Sequence, residues 1–152
     1  WANDPQVRSN SFSPELIAPA DHHIWFHQGL VNPNRLLLIA TVADGCSIGQ
    51  IRFDRQANSA GLNVSEALID LSLDRCARGQ GLAVELVRLG LLAMKQHWGE
   101  GTHAVAEVLP TNTASNACFA SAGFNAKSEL FSASSTQSPT VNRWRWRPPT
   151  SS

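Results

Sequence analysis

The chain has 152 residues, 43% of them hydrophobic, and its 12 Lys plus Arg balance 12 Asp plus Glu to a formal net charge of zero. That length suits one domain, residues 1–152, around a single core. Electroneutrality without a long like-charge run argues against nucleic acid or an anionic membrane surface as partner, and no apolar span is long enough for a membrane helix.

Trp1-Ala2-Asn3-Asp4-Pro5 reads as the middle of something, with no strand before it. Pro14 and Pro19 punctuate the next stretch, and residues 20–30 have helical character, with Ile24, Trp25 and Gln28 on adjoining faces. Asn32-Pro33-Asn34 is a turn. Residues 36–42 and 47–53 flank the turn signal Asp44-Gly45 and predict an antiparallel hairpin. After a reversal at 56–61, a strand is predicted over 62–73, with Ile69, Leu71 and Leu73 on one face and Leu68, Asp70 and Ser72 on the other. A helix over 82–97 should bury a stripe of Leu82, Leu86, Leu89 and Ala93 and leave Glu85, Arg88 and Lys95 solvated. Trp98-Gly99 stops it, residues 102–108 make a buried strand, and 113–122 a short helix ended by Gly123. Two strands close the order, near 124–132 and 140–147. In the second, Arg143-Trp144-Arg145-Trp146-Arg147 alternates as a strand does when one face is buried and Arg stems cover the other, a pattern common on edge strands. The element order is that of an α/β (α+β) domain with a central mixed sheet.

Cys46, Cys76 and Cys118 are odd in number and lack paired metal-ligand spacing, which argues against a disulfide framework or a metal and for reduced thiols in a cytoplasm. Cys118 reads as a small buried residue rather than a nucleophile.

Chemistry concentrates at two motifs. Arg78-Gly79-Gln80-Gly81-Leu82-Ala83 joins a strand to a helix, where backbone N–H groups lack internal partners and the helix dipole favours an anion. Small residues there let phosphate oxygens approach the amides, and Gly tolerates the positive φ such loops need. Downstream lies Asn112-x-x-Ser115-x-x-x-Phe119-x-x-x-Gly123-Phe124. In this order the pair resembles the signature motifs of the GCN5-related N-acetyltransferases, (Arg/Gln)-x-x-Gly-x-(Gly/Ala) and Asn-x-x-(Ser/Ala)-x-x-x-(Tyr/Phe)-x-x-x-Gly-Phe. The start Trp1 to Pro5, Val7-Arg8 and His22-x-x-Trp25-Phe26 resemble the N-terminal part of sugar-modifying members.

The resemblance implies the acyl-CoA N-acyltransferase fold: a mixed, mostly antiparallel sheet flanked by helices, here with the first strand apparently missing. An edge of the sheet would then be open or covered by another part of the molecule, within a homodimer or a larger polypeptide. It implies acetyl-CoA as cosubstrate, no metal, and a small-molecule amine as acceptor. Leu71, Ser72 and Leu73 would offer main-chain groups to the acetyl and pantetheine portion. Residues 78–84, Arg78, Gly79, Gln80, Gly81, Leu82, Ala83 and Val84, would hold the pyrophosphate, and Asn112, Ser115 and Phe119 would complete the cofactor contacts. Asn112 doubles as a helix N-cap.

Acetyl transfer needs an unprotonated amine, so a carboxylate base is expected. Glu107 is the first choice, from its place five residues before Asn112; Asp70 and Glu66 are rivals on one face of the earlier strand, and His22 is a further alternative. His22 and Trp25 are expected to bind the acceptor. Many relatives carry Tyr at the position of Phe119 as the acid that protonates the departing thiolate, and this chain contains no Tyr. The expected acceptor is an amino sugar, nucleotide-linked or free. Acetylation of a protein N-terminus or an amino acid is the alternative within enzymes, and a non-catalytic acyl-CoA-binding module the alternative outside them.

Overall fold

The computed structural model describes residues 1–56, 65–127 and 141–147. The elements are α1 (Pro5–Ser9), α2 (Pro19–Leu30), β1 (Arg35–Thr41), β2 (Ser47–Arg55), β3 (Ser65–Leu73), a 3₁₀ turn (Arg75–Ala77), α3 (Leu82–Trp98), β4 (Thr102–Val108), α4 (Thr113–Ser121), β5 (Asn125–Lys127) and β6 (Asn142–Trp146). They build one six-stranded sheet in the order β1-β2-β3-β4-β6-β5, antiparallel except where β3 runs parallel to β4. The predicted reversal at 56–61 falls mostly outside the described residues, as do positions 62–64, 128–132 and 140 of the predicted strands.

Period-2 alternation on β2 separates the two faces of the sheet. Ile51 and Phe53 point to a core built with α3, α4, β3 and β4, and both are fully buried. Arg52 and Asp54 point the other way, where Trp25 of α2 lies under the guanidinium groups of Arg35 and Arg52 at 4.8 and 5.1 Å. Helices therefore lie on both faces of the sheet, with the apolar core between it and α3.

Helix α3 begins where expected and buries Leu86, Val87, Gly90, Leu91 and Met94. The predicted stripe is rotated: Leu89 is 56% exposed. Gly90 causes this, because a Cβ there would stand 2.7 Å from Ile51 Cδ1 and 3.2 Å from Phe53 Cε2, so the helix seats its glycine, not Leu89, on β2. On β6, Trp144 and Trp146 pack against the core while Arg143 and Arg145 both pair with Glu66, as the alternation predicts. The strand is interior rather than an edge, flanked by β4 and β5. β1 is the outer strand at the opposite side.

The decisive feature of the sheet is an incomplete ladder. β3 and β4 pair from Ser65↔Thr102 to Leu68↔Val105 and no further, although β3 continues to Leu73 and β4 to Val108. Beyond Leu68 the two parallel strands part. β2 stays paired with β3 up to Gly49↔Leu73, and there the approach is tight. A Cβ on Gly49 would meet Ser72 O at 2.6 Å and Leu73 Cδ2 at 2.7 Å. Gly49→Ala should therefore cost about 1–3 kcal/mol through a clash that backbone cannot relieve; urea unfolding with an unchanged m-value but a lower midpoint would show it.

Candidate active site

The parting of β3 and β4 opens a cleft of about 900 Å³. One wall is the free edge of residues 69–73, a second is β4 and the start of α4, and the third is the N-terminal segment with α2. Of the carboxylates expected to act as base, Asp70 and Glu107 both line the cleft. Glu66 does not: at the closed end of the ladder it is bound by Arg143 and Arg145. The side chain of Glu107 is 34% exposed, and its one ion pair among the described residues is a loose 3.9 Å contact with Arg143. Asp70 is more exposed, 56%, and meets Arg52 at 3.2 Å. His22 and Trp25 project from α2 into the same space.

Backbone groups at the cleft floor lack protein partners. The N–H groups of residues 79–83 make no hydrogen bond within the described residues; the first amide of α3 to find one is that of Val84, to Gly81 O at 3.2 Å. Gly79 and Gly81 have φ of +74° and +77°, the left-handed conformation that turns successive amides toward one point. Gly79 and Ala83 line the cleft, whereas Gln80, Gly81, Leu82 and Val84 do not border it. The Gln80 side chain is spent on Cys76 O, at 2.6 Å. Leu71, Ser72 and Leu73 all line the cleft on the free edge of β3. Ser72 Oγ is buried without a partner, a polar atom whose position makes sense with a polar ligand beside it.

Asn112 caps α4, its Oδ1 accepting from the Ser115 amide at 3.1 Å, which leaves its Nδ2 without a partner among the described residues. Ser115 and Phe119 also border the cleft. Phe119 is 3% exposed and packs on Phe124 with ring centroids 5.0 Å apart, so it presents an apolar wall and no proton. Cys118 is buried beside it, and burial pushes its thiol up, away from thiolate.

The largest contribution that sequence reasoning missed is the N-terminal segment. Gln6, Val7, Asn10, Ser11, Phe12 and Ile17 all line the cleft. Asp4 and Pro5 are an N-cap and a first-turn proline, a helix start that could have been read from the sequence. Arg78, which the motif suggests for the cofactor, borders the cleft and is also engaged by this segment. Its Nε donates to Leu73 O at 3.0 Å, Nη1 to Gln6 Oε1 at 2.8 Å, and Nη2 pairs with Asp4 Oδ1 at 3.1 Å.

A family model described as an acetyltransferase (GNAT) domain matches residues 1–125. The chain belongs to this family. GNAT domains are acetyl-CoA-dependent acetyltransferases, and the unpaired amides of 79–83, the free edge of β3 and the orphan Ser72 hydroxyl fit a diphosphate joined to a pantetheine arm. No curated protein sequence matches the chain. Among solved structures, the GNAT domain of S. lividans PAT superposes with a TM-score of 0.71 at 24% identity, over 94% of this chain and 77% of that one. Spermidine N-acetyltransferase from Vibrio cholerae, in complex with CoA and spermine, gives 0.74 at 13% identity over 94% and 82%. Aminoglycoside acetyltransferase AAC(6')-Ib with coenzyme A and kanamycin gives 0.73 at 19% identity over 97% and 86%. At these identities the likeness carries the GNAT fold, and the mixed, mostly antiparallel sheet agrees with it.

Two carboxylates anchor the N-terminal wall. Burial pushes the Asp4 carboxyl up, but the Val7 amide and the Arg78 guanidinium outweigh it and hold the group below its ordinary value. Asp74, hydrogen-bonded first by Cys76 and then by Trp1 Nε1 at 2.8 Å, is held well below the carboxylate range. Groups depressed in the folded state stabilise it fully above their unfolded pKa, about 4, and lose that contribution as pH falls through the lowered folded values. The hold on Trp1 should therefore weaken progressively as pH falls below about 4, with release only as Asp74 protonates at its lowered folded value. Tryptophan fluorescence should report it, with the acid limb flattened in Asp74→Asn.

Proposed function

We propose that this GNAT domain transfers the acetyl group of acetyl-CoA to a primary amine on a sugar, free or nucleotide-linked, with Glu107 as the base. The observation that carries the reading is the placing of Glu107 and Asp70 in one cleft, on the two strands that part, next to a loop of unpartnered amides. Glu107 is preferred because Asp70 has the closer cation, Arg52 at 3.2 Å, whereas Arg143 stands 3.9 Å from Glu107.

Acetyl-CoA supplies a thioester whose acyl carbon is already activated. The amides of 79–83 and the edge of β3 fix that donor, and holding it beside the amine replaces a bimolecular encounter by a positioned one. Glu107 takes a proton from the acceptor ammonium, directly or through water, freeing the lone pair that forms the new C–N bond as the C–S bond breaks. Asn112 Nδ2 and Ser72 Oγ are donors available to an oxygen that gains negative charge. The second proton, shed by the nitrogen as it becomes the amide, passes through Ser115 or water to the departing thiolate in place of the missing phenol.

The charges and polar groups of the whole cleft lining support the acceptor class. Asp21, Asp54, Asp70 and Glu107 are offset by Arg8, Arg52 and Arg78, so the lining holds four carboxylates and three guanidinium groups. A polyamine would favour a strongly anionic surface. Alternating donors and acceptors, with Gln50, Asn10 and Ser11 among them and the edge of Trp25 alongside, suit the hydroxyls of a sugar that carries one amine.

A panel of amino sugars, polyamines and peptides, read by release of free thiol, tests both parts. Amino sugars should be turned over best, and a preference for spermine or for peptides would overturn the acceptor assignment. Glu107→Gln should lower kcat by about 10²-fold or more while binding of CoA by calorimetry stays within twofold. Unchanged turnover in that variant, with loss in Asp70→Asn, would move the base to Asp70.

A further inference from the structure

The third wall of the cleft is held in an unusual way. α1 has five residues and buries none of them. A helix of that length has no stability of its own, and with only Val7 and Arg8 partly buried it gains little from packing. What fixes it are polar links to the end of β3 and the turn that follows. Trp1 Nε1 reaches Asp74 at 2.8 Å, Asp4 pairs with Arg78 at 3.1 Å, and Gln6 accepts from Arg78 at 2.8 Å. Asp4 serves twice, since the same Oδ1 also caps α1 by accepting from the Gln6 and Val7 amides at 3.0 and 3.2 Å. Further along, Asn3 and Ile17 exchange two hydrogen bonds, of 2.8 and 2.9 Å, which close residues 3–17 into a loop. The loop is thus tied to the phosphate-binding turn at its base, and its body lines the cleft through Val7, Asn10, Ser11 and Phe12.

We infer that Arg78 and Asp4 are positioning residues for the amine acceptor: their ion pair fastens the 1–17 strap to the cofactor loop and so builds the acceptor-side wall. The guanidinium is committed first to the strap: its three nitrogens face Leu73 O, Gln6 Oε1 and Asp4 Oδ1, although the residue also borders the cleft. The side chain is 22% exposed, and leaving these partners would strand the Asp4 carboxylate, itself 14% exposed. Its rigid fork is what allows three elements to be bridged at once; a lysine carries the charge without that geometry. The proposal rests on the acetyl-transfer reading for what the wall recognises, but the tether itself can be tested apart from turnover.

Asp4→Asn is the informative variant, since Asn caps a helix about as well as Asp and only the charge pairing is lost. Hydrogen exchange of the amides in residues 1–17 should quicken at least fivefold in Asp4→Asn and in Arg78→Gln, while CoA affinity stays within twofold in both. With the best amine of the panel, KM for the amine should rise fivefold or more, in the range of ordinary site-to-site coupling, with kcat within twofold. Arg78→Lys should recover part of the KM loss. Arg75→Gln, which removes a 79% exposed side chain 3.7 Å from Asp4, should change none of these readouts. A tenfold loss of CoA affinity in Arg78→Gln with unchanged exchange in the strap would return the guanidinium to the diphosphate and overturn the proposal. Unchanged exchange and KM in Asp4→Asn would overturn it equally. If no amine is turned over, the acetyl-transfer reading fails, while the exchange rates and CoA affinities still decide whether the tether exists.

Discussion

The site depends on a place where two parallel strands stop pairing. Parallel strands side by side satisfy each other's backbone, and here the ladder ends at Leu68↔Val105 while both strands run on. An edge of unpaired N–H and C=O groups is costly to bury dry and aggregation-prone when exposed, so a sheet that keeps one in its interior has a use for it. The chain continues from that edge into a turn that bares its amides and then a helix whose dipole points at the same space. Splayed edge and bared turn form one polar surface for an extended ligand with an anionic middle. Gly49 keeps the partner strand close enough to hold β3 in line while its other side is left free.

Around this floor the two remaining walls are stabilised differently. β4 and α4 belong to the core: Ala104, Ala106, Val108 and Phe119 are buried, and Asn116 accepts from Trp144 Nε1 and Asn142 Nδ2, which locks the helix to β6. The wall that carries Glu107 is therefore rigid. The N-terminal wall buries nothing in α1 and rests on carboxylate–guanidinium and indole links. A cofactor needs an invariant slot and an acceptor needs a wall that differs among relatives with different substrates, and the division between packed and tethered walls matches that need.

Legibility from sequence followed the same division. β4 was readable because Ala104, Val105, Ala106 and Val108 cluster between Gly101 and Pro110, and five of its seven residues are buried. The Trp and Arg alternation of β6 was readable because period 2 puts each type on its own face. The stripe of α3 was rotated by about one residue, since counting leucines gives no weight to a glycine, and it is the missing Cβ of Gly90 that decides how closely the helix approaches β2. Glu66 and Asp70 share a face and looked equivalent; what separates them is where the ladder ends, a property of two strands together and visible in neither alone. The strap was missed because α1 has no apolar periodicity, and its partners lie more than 70 residues away.

Phe119 shows how the site can work with one familiar group missing. A phenol in that position serves to protonate a thiolate, and the group it would serve is a weak base by the standards of leaving groups, with a thiol pKa near 8.5. At neutral pH such a thiolate departs without full protonation, and a hydroxyl or a water can complete the transfer afterwards. The demanding proton transfer is the one off the ammonium, whose pKa of about 10 leaves few free amines at pH 7, and for that step Glu107 on β4 is the base we propose. Phe119 is then free to be what its burial and its contact with Phe124 make it, a part of the core that closes the cleft from below. A phenylalanine also leaves no hydroxyl to be satisfied at a position only 3% exposed, where a phenol would need a partner.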